Sequence, residues 1–276
     1  MIKKAKINLI GGGFQHCKGT NAFELPKIIE WIIGEQSSNV SIHIDSSILY
    51  NIDQSKVNYG MLSESKTIIP DVYRKVCESS GYLKTKFKRI FTHDQELCLS
   101  SDIFDLIPPP AVPWIPTAQR KIYKKTKLLS MIASNKNLCK EHSYRLETVK
   151  KYKNKLDFFG RGTTNELQNK IDGLRDYYFS IVMENSTHDN CYTEKLTDCL
   201  SVGTIPIYYG PKSTYHHFNS NGIIDLKDFD NLKLSPELYY SKIKAVRENF
   251  EIASNAPFPE DYAYTQYIME DLNDIL

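Results

Sequence analysis

Apolar residues in the first half of the chain change their spacing from strand to helix and back. A stretch ending at Ile10 is interrupted by Asn8 and followed by three glycines, which predicts a β-strand and a tight turn. Apolar residues then recur at helical spacing over residues 25–33 and stop at Gly34, so we predict a helix there. A further helix is predicted over 70–77 and a strand over 89–92.

The second half alternates between strand and helix more regularly. We predict strands over 128–134, 156–159, 179–183 and 204–209, and helices over 143–151, 166–177 and 193–202. Such a succession with short connections implies right-handed βαβ units and a parallel sheet covered on both faces. This part is therefore predicted to be a Rossmann-like domain, followed by helices over 235–253 and 260–276.

Residues 107–116 read Ile-Pro-Pro-Pro-Ala-Val-Pro-Trp-Ile-Pro and mark a break in this alternation. Proline fixes φ and lacks the N–H, so the segment suits neither a helix interior nor a central strand. A chain of 276 residues also exceeds the usual size of one domain. We therefore predict two domains, 1–116 and 117–256, with a cleft between them, and a C-terminal helix over 257–276 that could pack back on the first domain.

The composition is that of a globular protein, with 41% hydrophobic and 25% charged residues. No apolar run reaches the length of about 18 residues that predicts a transmembrane segment. A net charge of +2 gives no reason to expect nucleic acid or an anionic membrane as a partner. The six cysteines are scattered without a CxxC pair, which favours a reducing compartment.

The strongest candidate for a ligand site lies between Met183 and Lys195. In an open parallel sheet, ligands bind beyond the carboxyl ends of the strands, where helix N-termini favour anions. Glu184 and the two residues after it follow a predicted strand, Thr193 is a predicted N-cap, and Lys195 could meet a phosphate. The other interpretation is that Glu194 and Lys195 are ordinary solvated residues of a first helical turn.

Three segments around this site closely resemble the signature of the α-1,3-fucosyltransferases, glycosyltransferase family 10. They are residues 178–186 with Glu-Asn-Ser, residues 192–196 with Tyr-Thr-Glu-Lys-Leu, and residues 203–210 with Gly-Thr-Ile-Pro and a final Gly. Upstream, residues 133–137 and 156–162 look like the family's Ser-Asn loop and its strand ending in Gly-Arg. The resemblance spans most of residues 127–230.

The resemblance implies roles for residues outside this signature. In the family a basic residue on the helix after the Ser-Asn loop contacts the nucleotide diphosphate, and both His142 and Arg145 lie there; we prefer Arg145 because guanidinium geometry suits phosphate. Residues 61–66 resemble the family's Glu-Ser-Pro segment, which makes Glu64 the expected general base. This match departs at Lys66, where the family usually has proline, and on its own Glu64 would read as a surface carboxylate.

The implied fold is α/β with GT-B architecture, two Rossmann-like domains facing across a cleft. The implied reaction is inverting transfer of fucose from GDP-fucose, held by the second domain, to a hydroxyl of a glycan acceptor held by the first. Lys195, Arg145 and the helix start at Thr193 would stabilise the diphosphate. The other expected contacts are hydrogen bonds from sugar or ribose hydroxyls to Glu184 and Glu194, orientation of the donor by Asn185, and packing by Tyr192.

Several alternatives stay open at this point. A GT-B enzyme could use another nucleotide sugar, and a noncatalytic carbohydrate- or nucleotide-binding module could keep the donor domain without the base. A nucleotide hydrolase would need a phosphate loop after the first strand, and residues 11–13 lack its spacing. No cofactor is required, although Asp94 and Asp189 could be weak ligands and leave stimulation by Mn²⁺ or Mg²⁺ open. Without the anchor of Golgi-resident relatives, a cytoplasmic enzyme is expected.

Overall fold

The computed structural model describes residues 4–11, 19–34, 37–50, 52–53, 56–137, 139–161 and 164–273. The chain forms two compact units, one of residues 1–110 with 257–276 and the other of residues 111–256. This division falls six residues before the predicted boundary at 116/117. The reason is that the later part of the proline-rich segment is fastened to the second unit, where the backbone N–H of Ile115 donates to Asp198 and the hydroxyl of Thr197 donates to the carbonyl of Ala111.

The first unit is built on a six-stranded, fully parallel sheet. Its strands are β1 (Ala5–Ile10), β2 (Ile29–Ile32), β3 (Val40–Ile44), β4 (Val57–Leu62), β5 (Arg89–Thr92) and β6 (Phe104–Leu106). Their order in the sheet is β2-β1-β3-β4-β5-β6. All carboxyl ends of a parallel sheet lie at one edge, so the loops after β3, β4 and β5 are neighbours.

The helix predicted over residues 25–33 is wrong, because this segment contains strand β2. Ile29 is buried beside β1, whereas Leu25 and Ile33 are exposed. The strand is held by long-range bonds that no local spacing reveals, since the N–H groups of residues 27–29 donate to the carboxylate of Asp261. Gly12 and Gly13 of the predicted turn lie outside the described residues.

The helices of the first unit lie between its later strands and at the C-terminus. They are α1 (Pro70–Glu78), α2 (Ser80–Leu83), α3 (Gln95–Ser100), α9 (Pro259–Ala263) and α10 (Met269–Asn273), with a π-helical turn at Tyr264–Ile268. The C-terminal segment contacts its own unit through Glu260, which accepts the N–H and hydroxyl of Thr20, and through Asp271, which pairs with Arg89. Strand β5 and helix α1 agree with the predicted 89–92 and 70–77.

The second unit is built on a five-stranded parallel sheet with the order β11-β10-β9-β7-β8. The strands are β7 (Lys127–Ile132), β8 (Asp157–Phe159), β9 (Tyr177–Met183), β10 (Ile205–Tyr209) and β11 (Ile224–Asp225). Its central strand β9 carries almost only buried residues, as expected for a parallel strand covered on both faces. The carboxyl end of β9 is therefore enclosed by neighbours on both sides.

The helices of the second unit are α4 (Lys140–Tyr152), α5 (Glu194–Leu200), α6 (Thr214–His217), α7 (Pro236–Ser241) and α8 (Ile243–Ser254). The helix predicted over 166–177 is wrong, because this segment holds only a 3₁₀ turn at Lys170–Gly173 before β9 begins at Tyr177. A Cβ added at Gly173 would lie 2.7 Å from the side chain of Leu167 and 2.8 Å from that of Ile132, so this position of the turn favours glycine. Among the described residues, no helix is both long and apolar enough to cross a membrane.

Candidate active site

Glu184 directly follows strand β9 at the carboxyl edge of the second sheet, and its side chain is buried. Its carboxylate accepts the backbone N–H of Thr193 at 2.9 Å and the hydroxyl of Thr193 at 2.7 Å. A buried carboxylate needs such donors because it has lost its hydration. Thr193 also accepts the N–H of Lys195, which confirms it as the N-cap of α5. Two side chains thereby join the end of the strand to the start of the helix.

Lys195 lies between the two glutamates of this site. Its Nζ is 2.9 Å from the hydroxyl oxygen of Thr193 and 3.6 Å from one carboxylate oxygen each of Glu184 and Glu194. Burial raises the pKa of Glu184, and the positive charge of Lys195 opposes this shift. Burial also acts to raise the pKa of Glu194, but Lys195 and Lys170 outweigh it and the net shift is downward. Glu194 is therefore an ionised acceptor beside an ammonium group.

A second group of basic side chains reaches the same loop from α4. The guanidinium of Arg145 donates to Oδ1 of Asn185 at 3.2 Å, and Nε2 of His142 lies 3.0 Å from the same oxygen. Both side chains are buried, and within the described part of the chain the Nε of Arg145 has no hydrogen-bond partner. Burial lowers the pKa of His142, and the charges of Arg145 and Lys195 lower it further. Both candidates for the diphosphate contact therefore converge on Asn185.

Tyr192 is half-buried and packs against helix α6 and the residue that follows it. Its ring centroid lies 5.5 Å from those of His217 and Phe218. Burial raises the pKa of Tyr192 to about 12, so the phenol keeps its proton near neutral pH. The structure thus places Tyr192 beside the start of α5, where part of its ring packs against other side chains of the protein.

The structure adds two ionic residues to the site, Lys170 and Asp198, which the sequence did not single out. Asp198 is completely buried in α5, with 0% of its surface exposed. It is tolerated there because the Nζ of Lys170 lies 2.5 Å from its Oδ2. Lys170 is distant from Asp198 in the sequence and lies in the segment that was predicted to be a helix. Its positive charge was therefore the only sequence signal that pointed to it.

Glu64 lies at the carboxyl edge of the first sheet, just after β4, and is exposed. Oδ1 of Asp45, which follows β3, accepts the N–H groups of Ser63 and Glu64 at 2.8 and 3.2 Å. Asp45 has a φ of 51°, a conformation that Asp and Asn tolerate better than most residues. Burial raises the pKa of Asp45 to about 6.

Lys66 stands where the family usually has proline. Its ammonium lies 3.2 Å from the carboxylate of Glu96 and 3.8 Å from that of Asp94.

The two aspartates considered as weak metal ligands are far from equivalent. Asp94 caps α3 by accepting the N–H of Leu97, whereas Asp189 is exposed in the loop before α5. The chain also contains the Asp-x-Asp sequence Asp228-Phe229-Asp230, in which Asp230 accepts the hydroxyl of Tyr152 and pairs with Lys151. Within the described residues, no three His, Cys, Asp or Glu side chains come together as a metal site.

Comparison with known proteins relates the second unit to one family. Residues 122–249 match the family model described as glycosyltransferase family 10 (fucosyltransferase) C-term. The α-(1,3)-fucosyltransferase FucT of Helicobacter pylori is 35% identical over 65 residues, which cover 24% of this chain and 14% of the relative. The match therefore spans only a small part of the relative's length. These findings confirm the predicted resemblance to the α-1,3-fucosyltransferases.

Solved structures extend the likeness in fold to both units. A crystal structure of an α1,3-fucosyltransferase with GDP-fucose matches with a TM-score of 0.54 at 15% identity, covering 99% of this chain and 90% of that one. Another α1,3-fucosyltransferase structure gives a TM-score of 0.50 at 15% identity, with coverage of 100% and 92%. The predicted α/β class with two parallel sheets, the fold of GT-B fucosyltransferases, is confirmed. The family match contains Arg145 and the segment from Glu184 to Lys195 but not Glu64.

Proposed function

On the premise that residues 122–249 carry the C-terminal domain of glycosyltransferase family 10, we propose that this chain is an inverting fucosyltransferase. It would transfer fucose from GDP-fucose to a hydroxyl of a glycan acceptor. The observation that carries the proposal is the convergence of Lys195, Arg145 and His142 on the Glu184–Asn185 loop at the carboxyl edge of the second sheet. This is where an open parallel sheet binds its ligand.

The positive groups of this loop suit a nucleoside diphosphate leaving group. Negative charge develops on the diphosphate as the bond between sugar and oxygen breaks, and fixed cations near it lower the barrier. We assign this role to Lys195 and Arg145. Arg145 is better placed than His142, because its Nε has no partner among the described residues and its fork geometry matches phosphate oxygens. The proposed reaction requires no cofactor, because these cations supply the charge stabilisation, and stimulation by Mn²⁺ or Mg²⁺ stays open.

The carboxylates of the loop have different roles in the proposal. Glu194 is half-buried and ionised, so it can accept a hydroxyl of the ribose or of the sugar. Glu184 is occupied by the N–H and hydroxyl of Thr193, and we assign it to holding the loop. Asn185 presents its amide beside the cations and would orient the donor, with Tyr192 packing at the start of α5.

The proposed general base is Glu64 in the first unit. An inverting displacement needs a carboxylate that removes the proton of the acceptor hydroxyl opposite the leaving group. Glu64 is exposed, and its loop is fixed by Asp45 through two backbone N–H groups.

We also propose a cytoplasmic location for the enzyme. The cysteines are scattered along the sequence, and five of them, all in the described part of the chain, form no disulfide, which supports this location.

The test is release of GDP from GDP-fucose by the purified chain, with and without a panel of oligosaccharides. We expect acceptor-dependent release by the wild type, none by Glu64→Gln, and wild-type rates for Glu78→Gln, an exposed carboxylate of α1. Product formation by Glu64→Gln at the wild-type rate would remove Glu64 as the base. Turnover of a UDP-sugar instead of GDP-fucose would contradict the proposed donor, and nucleotide binding without any turnover would contradict the enzyme proposal.

A further inference from the structure

One ammonium group bridges two carboxylates on the same face of helix α5. The Nζ of Lys170 lies 2.5 Å from Oδ2 of Asp198 and 3.8 Å from Oε1 of Glu194. Glu194 and Asp198 are four positions apart, so both side chains lie on one face of the helix. Lys170 itself comes from the 3₁₀ turn before β9, so a separate element supplies this cation.

The Asp198 end of this bridge is firmly anchored. Asp198 is completely buried, and its Oδ1 accepts the backbone N–H of Ile115 at 3.0 Å. The ammonium of Lys170 also lies 5.4 Å from the ring centroid of Trp114, within the range of a cation–π contact. Asp198 and Lys170 are therefore fixed against the segment that opens the second unit.

The Glu194 end of the bridge reaches the proposed donor site. From Glu184 to Asp198 the charges alternate along one chain of contacts, through Lys195, Glu194 and Lys170, with separations of 3.6, 3.6, 3.8 and 2.5 Å. Lys195 alone would have to neutralise both glutamates and also meet a diphosphate. A second cation beside Glu194 removes that conflict, because Lys195 can turn to phosphate while Glu194 stays paired.

We infer that Lys170 is a positioning residue of the donor site, which holds the Glu194 carboxylate in place by tying it to the buried Asp198. The inference rests on the proposed function, since it assumes that Glu194 accepts a hydroxyl of the guanine nucleotide. It adds a residue 24 positions before Glu194 to the machinery of the site. Lys170 would touch neither donor nor acceptor and would act through Glu194.

The pH dependence separates this role from a purely structural one. Lys170 and Lys195 both lower the pKa of Glu194, against burial and in the presence of the negative Glu184 and Asp198. Without Lys170, Glu194 would become protonated at a higher pH than in the wild type, and it would then no longer accept a hydrogen bond as a carboxylate. GDP binding by Lys170→Gln should then weaken more steeply than that of the wild type as the pH falls. A loss of packing alone would weaken binding equally at each pH.

The experiment is calorimetric titration of the full chain with GDP from about pH 7 to about pH 5. For Lys170→Gln we expect at least about tenfold weaker binding than the wild type near pH 6, with a ratio that grows as the pH falls. Lys170→Arg should bind within about threefold of the wild type, because it keeps the positive charge and can still donate to both carboxylates. Lys151→Gln, which removes a lysine paired with the exposed Asp230, should match the wild type throughout.

A double variant guards against simple unfolding. If Lys170→Gln does not fold, Lys170→Gln/Asp198→Asn replaces the buried ion pair by two amides, and its Asn can still accept the N–H of Ile115. Equal binding by the variant and the wild type, or a ratio that does not change with pH, would overturn the inference and leave the proposed function intact. A wild-type chain that binds no guanine nucleotide would overturn both.

Discussion

The carboxylate of Glu184 accepts both the backbone N–H and the hydroxyl of Thr193, at 2.9 and 2.7 Å. The two residues stand on opposite sides of the loop between β9 and α5, and these two hydrogen bonds close it. Thr193 at the same time caps α5 and accepts the ammonium of Lys195. The position of Lys195 thus depends on the contact between Glu184 and Thr193, which are nine residues apart in the sequence.

Replacement of Thr193 tests this contact by thermodynamics. Thr193→Val keeps the shape of the side chain but removes the hydroxyl, so α5 loses its cap and Glu184 loses a donor. We expect the free energy of unfolding to fall by about 2–3 kcal/mol, measured by urea denaturation. Thr193→Ser keeps the hydroxyl and should stay within about 1 kcal/mol of the wild type. Wild-type stability in Thr193→Val, or a loss in Thr193→Ser as large as that in Thr193→Val, would contradict the dominant role of the hydroxyl.

The strand–loop–helix around this contact was predictable because its signals are local. Strand β9 is apolar except for Ser180, Thr193 is a cap residue before an apolar periodic segment, and Gly203 follows the helix. These features and the resemblance to the family led to Glu184, Asn185, Glu194 and Lys195. The structure brings all four to one edge of the sheet.

The failures of the sequence analysis have a common physical cause in long-range contacts. Residues 25–33 have helical spacing, but they form strand β2 because their N–H groups bind Asp261 from the other end of the chain. The predicted helix 166–177 is replaced by a 3₁₀ turn, and its last residue, Tyr177, already pairs with β7 as the first residue of β9. Lys170 could not be assigned for the same reason, since its partners on α5 lie 24 and 28 residues away.

The raised pKa of Asp45 predicts a pH dependence of stability. The folded chain holds this proton up to about pH 6, whereas the ordinary pKa is 3.8, so the folded state binds the proton more tightly. Stability from this group is full below the ordinary pKa and is lost as the pH rises through about 6, by up to about 3 kcal/mol. Asp45→Asn keeps an Oδ1 for both N–H groups and should flatten urea midpoints between these two pH values. If the urea midpoint of Asp45→Asn changed with pH as steeply as that of the wild type, the pH dependence would not come from Asp45.

Among the described glycines of the second unit, Gly160 is the least tolerant of a side chain. It has a φ of 154°, and a Cβ added there would lie 1.7 Å from the carbonyl oxygen of Ala133 at the end of β7. Gly160→Ala should therefore cost more than about 3 kcal/mol, because the backbone of the second unit must shift. Gly81→Ala is the matched control, since a Cβ added there meets no described atom within 4 Å beyond its chain neighbours and the backbone of its own helix. Equal midpoints of thermal unfolding for the two variants would contradict the close approach of Gly160 to the carbonyl of Ala133.

The binding of guanine nucleotides at Lys195 is the central claim, and a thermal-shift panel of the chain with GDP, UDP, ADP, CMP and GDP-fucose tests it most directly. A guanine nucleotide at a hundred times its Kd should stabilise the chain by about 2.7 kcal/mol and raise the unfolding midpoint by about 5–10 °C. We predict this rise for GDP and GDP-fucose alone and its loss in Lys195→Ala, with the midpoint of the free variant close to that of the wild type. A rise selective for UDP, no rise with any nucleotide, or a full rise in Lys195→Ala would contradict the claim.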